Sequence, residues 1–158
     1  KGRNPNRGFY QGDRLEVIDT PYGRIASPIC FEMEYHRYIR QAGIQGVDIL
    51  IVPGDEPHKG AAIVHTEISS LRAIENGASM LRTTLEGLTM GIDYQGRVLS
   101  QMNYYITREN RTLITELPVR GVRTLYARWG DWFAYGSIAL LVLLAARGLW
   151  PVRREEKL

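Results

Sequence analysis

Cys30 is the only cysteine in the 158-residue chain, so no intrachain disulfide can form and the thiol serves either as inert packing or as chemistry. It falls in the string PICFE, at the C-terminal end of a strand predicted over residues 24–31 and just before Glu32 and a predicted helix. In open α/β sheets the strand C-termini splay side chains into the ligand crevice, which is where a nucleophile belongs. To attack a carbonyl the sulfur must become a thiolate, and that needs a base or a cation beside it. Glu32 and Glu34 are the nearest carboxylates in sequence. The competing reading is a small buried hydrophobe that closes a strand.

Other residues of chemical type are more scattered. Asp55, Glu56 and His58 share a polar loop, residues 54–60, while His65 lies on a predicted helix beside Ile68 and Leu71. There it is either a satisfied, partly buried histidine or a base. No second His or Cys stands at ligand spacing, so no metal site is expected. Arg82 would be a charge on a strand, for which a structural ion pair with Glu75 or Glu86 is the expected role.

The elements that must position these groups follow from periodicity. Residues 15–19 and 24–31 read as two strands around a turn at Pro21, Tyr22 and Gly23. Residues 35–45 have helical spacing and end at Gly43 and Gly46; residues 47–53 (VDILIVP) form a continuous apolar run of the buried-strand kind. A helix is predicted over 61–76, closed by Gly77, and short strands over 79–84, 87–93, 97–102 and 112–117. The alternation gives a layered α/β domain.

With 44% hydrophobic and 23% charged residues, disorder, collagen-like and pure coiled-coil classes are excluded. The net charge of +3 comes from dispersed Arg and Lys, with no basic aromatic-interleaved stripe, so nucleic acid is not an expected partner. The chain opens with neither Met nor an apolar leader. Residues 132–150 (WFAYGSIALLVLLAARGLW) carry one charge, Arg147, and at 1.5 Å per residue would reach about 28 Å, which predicts a transmembrane helix with Trp129, Trp132, Tyr135 and Trp150 as interfacial anchors. The expected organisation is a partial catalytic domain over 1–118, a linker over 119–131, the membrane helix over 132–150 and a charged tail over 151–158.

The segment GFYQGDRLEVIDTPYGRIASPICFE, followed in order by VDILIVPGD, H-x6-R-A-x-E-N-G from His65 to Gly77, MLRTT, GLT and D-x-Q-G-R-V, resembles the nitrilase superfamily. LYARWGDW and the apolar helix after it are most similar to the apolipoprotein N-acyltransferases within that superfamily. The resemblance implies the C-terminal half of an αββα sandwich, a Glu–Lys–Cys triad, and no cofactor. It also implies a Cys thioester that carries an acyl chain from a phospholipid to the N-terminal amine of a lipoprotein, at a bacterial plasma membrane with the catalytic domain extracytoplasmic and the C-terminus cytoplasmic. A carbon–nitrogen hydrolase using water, and a non-catalytic membrane-tethered domain, are the alternatives.

By that resemblance Cys30 is the nucleophile and Glu32 the acidic residue supporting it, and Phe31 stands where the family has Tyr. Phe31, Asp55, His65 and Arg82 are candidate oxyanion or substrate contacts. The family's general-base glutamate lies upstream of this chain. Lys1, twenty-nine residues before Cys30 and followed by Pro5, is the one candidate for the triad lysine. The chain is thus expected to hold half of an active site.

Overall fold

The computed structural model describes residues 12, 14–56, 58–106 and 111–149; Lys1 lies outside them. Among the described residues six strands form one sheet in sequence order: β1 (Val17–Thr20), β2 (Gly23–Ala26), β3 (Ile49–Gly54), β4 (Ser79–Thr84), β5 (Leu88–Ile92) and β6 (Val98–Asn103). β2, β3 and β4 run parallel, and the outer pairs β1–β2, β4–β5 and β5–β6 are antiparallel. The two parallel steps are bridged by α1 (His36–Gln45) and α2 (Lys59–Asn76), which close at Gly46 and Gly77.

Side-chain alternation sorts the sheet into two faces. Leu50 and Val52 of β3 pair in register with Met80 and Arg82 of β4, and all four are buried. Leu50, Val52 and Met80 share one core with Ile39 and Ala42 of α1, Ala73 of α2 and Met33. Ile49, Ile51 and Leu81 alternate to the opposite face and are half-buried.

Three expectations are corrected. The strand predicted over 24–31 stops at Ala26. Pro28 has no N–H to give a ladder, Ser27 donates its hydroxyl to Ile51 O at 2.9 Å instead, and Cys30 opens a 3-10 turn, Cys30–Glu34. The strand predicted over 112–117 forms no ladder. That segment crosses the sheet's second face: Pro118 O accepts from Ser79 Oγ at 2.9 Å, Thr115 lies against Gly91, and Gly121 N donates to Asp48 Oδ1 at 3.2 Å. The expected linker contains a helical turn, α3 (Leu125–Trp129), whose Ala127 is buried. Thr124 caps it by accepting from Ala127 N at 3.0 Å, and Arg40 of α1 donates to the carbonyls of Tyr126 and Arg128.

The chain divides into two compact units between Arg128 and Trp129. The second contains α4 (Trp132–Leu149), whose described side chains are all exposed. Among the described residues no helix is long and apolar enough to cross a membrane. The uninterrupted apolar run, 138–146, is nine residues, about 14 Å of rise against roughly 30 Å of hydrocarbon. The transmembrane expectation over 132–150 is therefore not supported.

Leu50 is fully buried between the helices and the sheet. Leu50→Ala is expected to lose about 2–5 kcal/mol in urea unfolding, whereas Leu85→Ala, at a position 72% exposed, should stay within about 0.5 kcal/mol.

Candidate functional site

The alternation that buries Leu50 and Val52 carries on past the end of β3. Glu56 comes up on the helix-facing side and is only 2% exposed, while Asp55 turns to solvent. Val52 is in register with Arg82, so the loop after β3 rises beside a fully buried guanidinium. α2 makes room for it with Ala62, Thr66, Ser69 and Ala73, a buried stripe of small residues at helical spacing.

Every arm of Arg82 is used. Nε donates to Thr66 Oγ1 and Nη1 to Ser69 Oγ, each at 3.2 Å, and those hydroxyls pass on hydrogen bonds to Ala62 O and His65 O. Nη2 is ion-paired with Glu56 Oε1 and donates to Cys30 Sγ at 3.4 Å. The Cys30 thiol in turn donates to Glu56 Oε1 at 2.7 Å. Sulfur, carboxylate and guanidinium therefore form a closed triangle.

His65 extends this triangle. Its Nδ1 lies 2.8 Å from Glu56 Oε2, and its Nε2 lies 3.2 Å from Glu34 Oε1. The ring thus ties the turn bearing Cys30 to the loop bearing the carboxylate. Tyr105 adds a hydrogen bond from its hydroxyl to Glu56 O at 3.0 Å.

Two glycines make the approach possible. A Cβ at Gly54 would lie 3.0 Å from Cys30 Cβ and 3.1 Å from its Sγ, so only glycine leaves the sulfur its seat. Gly87 has φ of 126°, and a Cβ there would press on Glu56 Cβ at 3.1 Å.

The electrostatics work against a free thiolate. Burial raises the Cys30 pKa above its ordinary value, the Glu56 hydrogen bond raises it further, and Arg82 opposes both. Cys30, Glu56 and His65 have donor atoms within 4.8 Å of one another, a grouping the sequence spacing did not suggest. The Arg82 charge already touches two of the three, so a metal cation would meet like-charge repulsion there.

The residues anticipated from sequence are placed as follows. Cys30, His65 and Arg82 meet. Arg82 pairs with Glu56 rather than Glu75 or Glu86; Glu75 pairs with Arg72. Glu32 Oε2 accepts from Ile29 N at 2.7 Å and so caps the 3-10 turn. Phe31 is exposed and stacks edge-on against Tyr35, with ring centroids 5.6 Å apart. Asp55 points away from the triangle. Glu56 was missed because it stood in a loop read as polar, although the period-2 pattern of 50, 52 and 54 already pointed to it.

Residues 4–126 match the carbon-nitrogen hydrolase family. The chain is 33% identical over 152 residues to the apolipoprotein N-acyltransferase of Gloeobacter violaceus and 31% over 146 residues to that of Synechocystis, covering 94% and 89% of this chain but only 28% and 26% of those proteins. The chain thus spans under a third of the relatives' length. An amidase from Nesterenkonia sp. AN1 with acrylamide added at its active-site cysteine superposes with a TM-score of 0.60 at 16% identity, over 87% of this chain and 54% of that one. Nit3 of Saccharomyces cerevisiae, a nitrilase-superfamily member, gives 0.55 at 17% identity over 63% of this chain and 40% of its own. These likenesses establish the shared fold.

In the folded protein, alkylation of Cys30 by iodoacetamide is expected to rise with pH only above the ordinary thiol range of about 8.5, and to revert to that range in urea. Arg82→Gln removes the cation that favours the thiolate, so the rate at pH 8 should fall severalfold; a faster rate would contradict the balance described.

Proposed function

Since the chain belongs to the carbon-nitrogen hydrolase family, we propose that it is the C-terminal half of a nitrilase-type sandwich and carries the nucleophile of a membrane-associated N-acyltransferase. Cys30 takes an acyl group from a phospholipid as a thioester, and the N-terminal amine of a lipoprotein then attacks it. The observation that carries this reading is the Cys30 sulfur, half-exposed and held between a buried carboxylate and a buried guanidinium. The curated relatives supply the choice of acyl transfer over hydrolysis.

The roles follow from the contacts. Cys30 forms the covalent bond. Arg82, beside the sulfur, stabilises negative charge as it develops. Glu32 sets the turn on which the sulfur rides, and Phe31, exposed next to it, lies where a substrate chain would pass. Asp55, exposed beyond β3, and His65, joined to both Glu34 and Glu56, are placed for substrate and support contacts respectively. A triad lysine and an upstream glutamate complete the family's site, with Lys1 the candidate within this chain.

α4 supports the membrane part of the proposal. Leu140, Leu141, Val142, Leu143 and Leu144 are each more than half exposed, so the helix shows apolar side chains on every side. A surface of that kind is covered in a cell, and a lipid bilayer is the cover proposed. The reading places the protein at a bacterial plasma membrane with its catalytic domain facing away from the cytoplasm.

Full-length protein incubated with phospholipid vesicles should gain the mass of one acyl chain on Cys30, labile to hydroxylamine, and Cys30→Ser should gain none. An unmodified wild type, or an undiminished adduct in Cys30→Ser, would sink the reading. In carbonate extraction the full-length protein should stay with the membrane pellet.

A further inference from the structure

We propose that the groove between α1 and α3 docks the anionic headgroup of a bilayer phospholipid, with Arg123 as the cation that holds its phosphate. The inference rests on the membrane part of the reading above. It goes further by naming the charge on the lipid and the surface that recognises it, away from the acyl-transfer chemistry.

The groove has a volume of about 530 Å³, the size of a small-molecule site. Gly43 and Ile44 of α1 line it with Leu125 and Ala127 of α3, and Arg123 and Arg128 add two guanidinium groups. Ile44 and Leu125 are each more than half exposed. Neither α1 (HRYIRQAGIQ) nor the stretch 117–130 contains an Asp or Glu, so neither wall supplies a carboxylate.

A Cβ on Gly46 would stand 3.3 Å from Arg123 Nη2 and 3.9 Å from Arg24 Nη1, so two guanidinium groups converge beside the C-terminus of α1. The negative end of the helix accounts for one of them. Arg24 Nη1 donates to Gln45 O, and its Nε donates to Asp19 Oδ1 at 2.7 Å. Arg123 has no hydrogen-bond or ion-pair partner among the described residues. The helix carbonyl is taken, and the second cation is left to be matched from outside the domain. A phosphate diester accepts from a guanidinium fork, and the glycerol and first methylenes of a lipid suit the apolar lining. A free phosphate would leave Ile44 and Leu125 in water.

Chain order favours a bilayer lipid as the source of that phosphate. Arg128 stands four residues before Trp132, where α4 starts. The segment that forms one wall of the groove therefore leads directly into the helix proposed to lie in lipid, and such a tether keeps the groove among headgroups at high local concentration. Each arginine near an anionic bilayer favours association by about fivefold. The docked lipid is distinct from the acyl donor. α1 is ten residues long, about 15 Å, with the Cys30–Glu34 turn before its first residue and Gly43 and Ile44 in its last turn.

Full-length protein with a benzophenone amino acid in place of Ile44 is reconstituted in nanodiscs of phosphatidylcholine containing one-fifth phosphatidylglycerol, illuminated, and read by intact mass. Phosphatidylglycerol should be captured severalfold above its share of the bilayer, and the excess should shrink at high salt. Arg123→Gln should lower the capture about fivefold, whereas Arg123→Lys, which keeps the charge, should retain most of it. With no internal partner to lose, Arg123→Gln should unfold at the wild-type Tm.

Capture in proportion to bilayer composition, or an unchanged excess in Arg123→Gln, would overturn the proposal. So would a Tm lowered by several degrees, which reveals an internal partner, or loss of the excess on adding millimolar inorganic phosphate, which marks a site for small anions. None of these outcomes touches the thioester reading, which is decided by the mass on Cys30. A protein that fails to enter nanodiscs would overturn the membrane reading and this proposal together.

Discussion

Arg82 is a full positive charge with no exposed surface, and the architecture of the site follows from having to satisfy it. A buried ion is tolerated only when paired and hydrogen-bonded throughout, and removing one partner typically costs about 3–5 kcal/mol. The chain meets that demand with three elements: the hydroxyls of Thr66 and Ser69 from α2, the carboxylate of Glu56 from the loop after β3, and the sulfur of Cys30 from the 3-10 turn. The charge thereby organises the site in space. The small stripe on α2, Gly54 beside the sulfur and Gly87 behind Glu56 are the shape complements of that arrangement.

Much of this was legible in the sequence where a periodic signal ran unbroken. β4 runs from Ser79 to Thr84 as the pattern predicts, and α2 ends at Asn76 before Gly77. The sheet's mixed character follows from helices alternating with strands in the first half and tight turns in the second. The motif around Cys30 drew attention to a corner where the structure brings the thiol against a buried carboxylate and a buried guanidinium. Sequence reasoning weakened where one residue overrode a pattern. Pro28 turns an apolar run away from the sheet, so Cys30 stands on a helical turn instead of a strand end.

Glu56 was harder to see because its burial depends on a partner twenty-six positions away. A carboxylate in a Gly/Pro-flanked loop reads as solvated until Arg82 is known to stand behind it. The segment 112–117 illustrates the same limit. Its β-rich composition reads as a strand, but β4 and β5 already have neighbours on both edges, and the segment lies across a face. Composition reports local preference, and occupancy of a sheet edge is a property of the whole chain.

The spacing of the triangle also bears on how the protein is made. Cys30 and Arg82 are fifty-two residues apart, so at synthesis rates of about 5–20 residues per second the thiol leaves the ribosome roughly 3–10 s before its counter-ion. For the first half of that interval the sulfur has neither its carboxylate nor its cation, and for the rest of it no cation, so it behaves as an ordinary solvent-exposed cysteine, open to any electrophile or oxidant it meets. Closure of the β3–α2–β4 crossover ends that exposure. The last step in forming the site is therefore also the step that protects it.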